Sequence, residues 1–335
     1  MITAMKPERA GSPGESLRRL VAECGAAAYA VTSATAVEVR MDTTYDRWIA
    51  GGKHAGMHYL ENHMPLRHDP RLLLDGAASI ICLAFPYAPP EAAAADPRWA
   101  LYALGEDYHD VLRRRLGTLC EEMRKEWGGE YRICIDSAPI HERYWAVRSG
   151  LATPTLNGNV SVSGIGTMAF LAEILTTLEL PAERPEESGP ACTRCGLCRR
   201  SCPSRAIPEE GEIAGIDASR CLNYLTIEHR GDWSPWQQQL LTGDDGESRA
   251  LFGCDICQRV CPLNARERSV IPEFHPRDIF LSGSLTPARI REMTQTEFST
   301  LFRGSPVKRA KLAGLRRNAG ANPESERDLN KNYRE

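Results

Sequence analysis

Cysteine spacing carries the clearest chemistry in this sequence. One run reads Cys192-x-x-Cys195-x-x-Cys198-x-x-x-Cys202-Pro203, the pattern in which three thiolates hold one 4Fe-4S cluster and the fourth reaches across to another. A second run, Cys254-x-x-Cys257-x-x-x-Cys261-Pro262, is one cysteine short of that pattern, and Cys221 is the nearby thiol left to complete it. The spacing predicts two 4Fe-4S clusters, one on Cys192, Cys195, Cys198 and Cys261 and the other on Cys202, Cys221, Cys254 and Cys257. Zinc also takes four thiolates at C-x-x-C spacing, but it gives no reason for a Cys-Pro to close both runs. Cys24, Cys82, Cys120 and Cys134 stand in apolar or helical surroundings and read as core residues.

Two further features bear on chemistry. Asp136 directly follows the apolar run 131–135, and α/β proteins place chemistry at the C-terminal ends of strands. Asp-Ser-Ala-Pro would equally cap a following helix, so the residues alone leave both readings open. Near the other end, Arg303, Lys308, Arg309, Lys311, Arg316 and Arg317 bring six positive charges with no acid between Arg303 and Asn322, on a segment expected to be helical. Such a run can neutralise phosphates, or it is a solvated basic face.

Elements must bring these groups together. Leu17, Leu20, Val21 and Cys24 have helical spacing and lead through Gly25 into a β-rich stretch at 29–32. Residues 79–85 form a continuous apolar run ending at Pro86, as in a strand covered on both faces. Residues 113–127 have helical periodicity and a Gly-Gly stop, a second short strand is expected at 131–135, and 168–180 reads as a strong helix. The expected fold class is α/β. Residues 1–185 form its first domain, a polar, proline-rich boundary falls at 181–190, the cysteine domain covers 186–270, a helical basic segment 271–320, and a disordered tail 321–335.

At 335 residues and 42% hydrophobic content the chain can bury a large core. Its longest apolar stretches fall far short of the ~20 residues of a membrane helix, and no leader pattern opens it, so a cytoplasmic, membrane-free, monomeric protein is expected. Clustered cysteines without a leader agree with a reducing compartment. The formal net charge of -3 gives no sign of a polyanion partner until its distribution is considered.

The segments Asp136-Ser-Ala-Pro-Ile-His-Glu-Arg, Phe170-Leu-Ala-Glu-Ile-Leu and Gly253-Cys-Asp-Ile-Cys-Gln-Arg-Val-Cys-Pro resemble those of the epoxyqueuosine reductases. The likeness extends through Gly56-Met57-His58-Tyr59 with Arg67, Tyr102-Ala-Leu-Gly-Glu-Asp-Tyr-His, Cys221-Leu-Asn-Tyr and Gly304-Ser-Pro-Val-Lys-Arg, over nearly the whole chain. It implies a reductive-dehalogenase-like α/β domain that binds cobalamin, followed by a bacterial-ferredoxin-like domain. The implied reaction removes the epoxide oxygen from epoxyqueuosine at the wobble position of a tRNA anticodon, giving queuosine, with electrons from an external low-potential donor. Asp136 would then be the proton donor, its carboxyl raised towards neutrality by an enclosed site. Met57, Tyr108, Asn157, Gly158 and Thr167, with Asp136, would contact cobalamin, and Lys308, Arg309, Lys311, Arg316 and Arg317 the tRNA. One departure stands out: Gly150-Leu-Ala-Thr-Pro-Thr-Leu precedes Asn157-Gly158, where the family has a glycine-rich stretch with Trp and a Gly-Lys or Gly-Arg. Asn157, Gly158, Gly164 and Gly166 still follow the family pattern. The alternatives are a corrinoid reductive dehalogenase, which would typically carry a twin-arginine leader, a corrinoid methyl-transfer or reactivating protein, and a non-catalytic iron-sulfur electron carrier.

Overall fold

Period-two burial organises the first half of the chain in the computed structural model, which describes residues 13–185, 191–209, 215–243, 246, 248–265 and 268–320. A sheet of four strands, β1 (Ala28–Ser33), β2 (Ser79–Pro86), β3 (Tyr131–Cys134) and β6 (Ala169–Thr176), runs in the order β1-β2-β6-β3, every pair antiparallel. A separate hairpin pairs β4 (Ala152–Pro154) with β5 (Val160–Val162). Successive side chains of a strand point to opposite faces. In β2, Ile81, Leu83 and Phe85 therefore enter one core while Ile80, Cys82 and Ala84 enter another.

The first core lies under α1 (Pro13–Cys24) and α4 (Tyr108–Trp127), the second under α5 (Glu142–Arg148) and the β4–β5 hairpin. Between α1 and α4 in sequence run α2 (Val39–Ala50) and the short α3 (Met64–His68). The cysteine domain contains α6 (Leu197–Arg200), α7 (Leu222–Ile227), α8 (Pro235–Leu241) and α9 (Ile256–Arg259), and the chain ends in α10 (Asp278–Leu281), α11 (Pro287–Glu292), α12 (Gln295–Leu301) and α13 (Lys311–Asn318). No helix among the described residues is long and apolar enough to cross a membrane.

Two expectations are corrected. Residues 168–180 hold the strand β6, not a helix. Alanine, leucine and glutamate favour helices locally, but Phe170, Ala172 and Ile174 all enter the first core and Leu175 the second. Burial on both faces of a sheet outweighs that propensity. The segment 303–317 is not one helix either: a 3-10 turn at Pro306–Ala310 precedes α13. The region 271–320 does not stand apart from the first domain, because Phe274, Phe280, Ile290, Phe302 and Leu315 share the core of Leu112 and Leu116. Arg115 fastens the two, its guanidinium donating to both oxygens of Glu273 (3.0 and 2.7 Å) and to the Cys24 carbonyl. Part of the expected boundary, at 186–190, and the tail at 321–335 lie outside the described residues.

Candidate active site

The sheet ends on an open cleft enclosing about 180 Å³, with an apolar wall of Tyr102, Val160, Phe170 and Leu171. Asp136, Glu142 and Arg143 supply its charged side. Asp136 sits one residue beyond the buried Ile135, with φ of +39°. That left-handed backbone is uncommon outside glycine but tolerated by aspartate. It turns the carboxylate away from α5, whose N-terminal flank is His141, so Asp136 is no helix cap. Its Oδ2 instead accepts hydrogen bonds from the Tyr108 hydroxyl (2.7 Å) and His109 Nε2 (3.1 Å). The other nitrogen of His109 reaches Asp107 Oδ1 at 2.8 Å. Asp107 caps α4 and thereby sets Tyr108 and His109 side by side on its first turn. Tyr108 stacks on Phe170, the ring planes 11° apart.

These contacts reverse the protonation expected for Asp136. Burial favours the neutral acid, but the hydrogen bonds from His109 and Tyr108, with the attraction of the His109 and Arg309 cations, hold the carboxyl below its ordinary range. The side chain is 58% accessible, so these specific bonds and not enclosure decide its state. Burial disfavours the His109 cation, yet Asp107 and Asp136, one on each ring nitrogen, raise it to about 9. The pair is an imidazolium and a carboxylate, and the proton rests on the histidine.

The other sequence-predicted residues divide into cleft wall and support. Thr167 is buried in the cleft wall, its hydroxyl on Gln258 Oε1 (3.1 Å) and its N–H on Asn264 Oδ1 (2.8 Å). Gln258 lies within the second cysteine run and Asn264 just beyond it, so the cleft and the thiol-rich loop share one hydrogen-bond junction. Gly166 makes it possible: a Cβ there would lie 2.3 Å from Asn264 Oδ1 and 2.4 Å from the Leu263 carbonyl, at φ of +85°. Asn157 is buried, and its side-chain oxygen accepts from Thr155 Oγ1 and from the Asn159 N–H, which shapes the altered hairpin. Gly158, at φ of +77°, presents its carbonyl to Arg143. Met57 is half-buried and packs in the small core that includes Cys221 and Cys254.

The seven cysteines of the two runs and Cys221 are free thiols. Burial first, then the neighbouring Cys192, Cys261 and Cys195, push the Cys198 thiol up, while Cys257 is raised by burial and by Cys254, Cys221 and Cys202. Cys198 thus has Cys192, Cys195 and Cys261 as electrostatic neighbours, and Cys257 has Cys202, Cys221 and Cys254. Cys24, Cys82, Cys120 and Cys134 are buried core thiols.

Of the basic run, Arg316 donates to the Met293 carbonyl, and Arg317 to the carbonyls of Leu225, His229 and Gly231 and onto the Trp233 ring. These two guanidinium groups tie α13 to the rest of the chain, which departs from the expected phosphate-binding surface. Lys308, Arg309 and Lys311 are exposed. Arg309 grips Glu228 through two bonds (2.7 and 2.8 Å), covers the ring of Tyr59 and is one of the charges acting on Asp136.

Comparison with known proteins places this geometry. Residues 67–137 match the family described as epoxyqueuosine reductase QueG, DUF1730, and residues 191–264 the 4Fe-4S double cluster binding domain. The epoxyqueuosine reductase of Leadbetterella byssophila is 38% identical over 279 residues, covering 82% of this chain and 86% of its own. The chain belongs to the epoxyqueuosine reductase family. The Synechocystis member is 34% identical, over 82% of this chain and 92% of that one. A solved epoxyqueuosine reductase from Bacillus subtilis, 25% identical, matches with a TM-score of 0.76 over 91% of this chain and 79% of its own. Another, crystallised with an epoxyqueuosine-modified tRNA-Tyr stem loop and 24% identical, shares the fold with a TM-score of 0.78 over 91% of this chain and 79% of that one.

The cofactors of an epoxyqueuosine reductase are two 4Fe-4S clusters and cobalamin. The thiols of the double-cluster domain fit the clusters, being eight in number with none consumed in a disulfide. The cleft would offer cobalamin an aromatic and aliphatic wall on one side, and Thr167 and Gln258 join that wall to the loop carrying Cys257. His109, Glu142 and Arg143 were not singled out as site residues from sequence. Each nevertheless lies in a segment that carries the family resemblance, and what was missing was their meeting across α4, the loop after β3 and α5.

Proposed function

We propose that this protein reduces epoxyqueuosine to queuosine at the wobble position of tRNA. The observation that carries the reading is the Asp107–His109–Asp136 chain ending in a cleft joined to eight cluster-forming thiols. Converting an epoxide to an alkene takes up two electrons and two protons and releases water. When bound, cobalamin supplies a low-potential metal centre to the substrate carbons, fed by the clusters.

The chain's own residues provide the rest. The His109 imidazolium shares its proton with Asp136, which faces the cleft and passes it to the departing oxygen. Tyr108 holds Asp136 Oδ2 in place. Tyr108, Thr167, Met57 and the Asn157-Gly158 hairpin support the cofactor wall, with Asn157 acting through the turn it fixes. Exposed Lys308 and Lys311, with Arg309, meet the anticodon phosphates, while an unstacked base enters the cleft. The domains are 1–185 for catalysis, 186–270 for the clusters and 271–320 as a basic buttress. An external donor reduces the set that includes the exposed Cys195. A tRNA substrate and unpaired thiols agree with a monomeric cytoplasmic enzyme.

The test is anaerobic reconstitution with iron, sulfide and cobalamin, then nucleoside mass analysis of epoxyqueuosine-containing tRNA treated with a strong reductant. Conversion to queuosine, a loss of one oxygen, is expected. Intact clusters and bound cobalamin without conversion would refute the reading and point to a changed substrate at the 150–156 loop.

A further inference from the structure

Glu173 is the most anomalous side chain in the fold. It lies in the middle of β6, fully buried, directly opposite Cys82 of β2 and Cys134 of β3. Neither of its oxygens has a hydrogen-bond partner. A charged carboxylate in that position would lack all compensation, so Glu173 is a neutral acid, and burial followed by the charge of Glu142 raise it well above the ordinary value.

Glu142 opens α5, packs towards β6 and lines the cleft. One of its oxygens accepts the backbone N–H of Asp136 at 2.6 Å, which pins the left-handed turn of that residue. The charged and titratable groups around Glu142 are Asp136 after β3, Tyr108 and His109 on α4, its neighbour Arg143, and Glu173 and Cys134 on the sheet. Burial and the Asp136 carboxylate outweigh Arg143 and His109 and raise Glu142 to about 8. Three carboxyls thus run from the sheet interior to the cleft, of which the outermost is ionised and the inner two hold protons.

Resting on the reaction proposed above, we propose that Glu142 donates the second proton of the reduction, with the neutral Glu173 leaving it no charge partner on the sheet side. Two C–O bonds break, one carbon–carbon π bond forms, and the two electrons come from the external donor through the bound cofactors. The oxygen leaves as water after taking one proton from His109 by way of Asp136 and one from the Glu142 carboxyl. Solvent at the cleft mouth then reprotonates Glu142 and His109. Two separate donors explain why the site holds a second acid beside a histidine already charged.

The experiment uses the reconstituted holoenzyme and Glu142→Gln, whose amide oxygen can still accept the Asp136 N–H. Its kcat is expected to fall by at least ~10-fold, with stem-loop affinity and the cluster and cobalamin absorption spectra unchanged. The fall of kcat on the alkaline side, set near pH 8 in the parent, should move up to about 9, where His109 titrates. Glu173→Gln, uncharged like the neutral acid it replaces, should leave that limb where it is in the parent. Parent-like kcat and alkaline limb in Glu142→Gln would overturn the proposal. Infrared difference spectra across pH 6 to 10 read the same group without turnover. A protonated-carboxyl band titrating near 8 in the parent and missing in Glu142→Gln supports the assignment even if epoxyqueuosine is not the substrate, and its absence from the parent overturns it.

Discussion

Replacing His109 by glutamine isolates the charge on the Asp107–His109–Asp136 chain. In the native protein the imidazole is raised from 6.5 to about 9. That difference, at about 1.4 kcal/mol per pH unit, is about 3 kcal/mol. Water reaching Asp136 screens its share, which leaves about 2 kcal/mol. The folded-state value is the higher one, so this stability is fully present below pH 6.5 and is lost as pH rises through about 9. The loss of stability between pH 6 and pH 9.5, read by urea unfolding of the anaerobic holoprotein, should be smaller by about that amount in His109→Gln than in the parent. NMR titration of the His109 ring checks the cause directly. An imidazole that titrates at or below 6.5 would refute the reasoning, as would an unchanged stability difference in the variant.

Three other outcomes are expected. Gly166→Ala, which drives a methyl into Asn264 and Leu263 at a positive φ, should destabilise by about 2 kcal/mol or more, read as a lower unfolding midpoint. Cys221→Ser should lose the cluster it shares with Cys202, Cys254 and Cys257 and retain about half the iron, measured by metal analysis and electron paramagnetic resonance. The double substitution Lys308→Glu with Lys311→Glu should weaken stem-loop binding and flatten its dependence on salt, with cluster content unchanged. An unaltered salt slope would remove these lysines from the RNA surface.

What could be read from the sequence follows the range of the interactions. The double-cluster domain was legible because ferredoxin-type ligation is written in local spacing. Strand β2 was legible because it is apolar on both faces. Strand β6 was not, because the alternation of Phe170, Ala172 and Ile174 is broken by Leu171 and Leu175, and its neighbours in the sheet lie far away in sequence. The location of Asp136 was foreseen, but its charge was not. His109 approaches it from 27 residues away, and Glu142 joins only when α5 folds back. Arg316 and Arg317 looked like surface charge because a sequence cannot show which carbonyls a guanidinium will reach.

The junction of Thr167 with Gln258 and Asn264 couples the cleft wall to the loop that carries the cluster cysteines. Gln258 directly follows Cys257, and Asn264 lies three residues beyond Cys261, so the loop bracing the cleft wall takes its shape from iron ligation. Oxidative loss of iron would free that loop and slacken the wall at Thr167. A damaged molecule would then lose its grip on the modified base together with its electrons, and would not sequester tRNA that it can no longer repair.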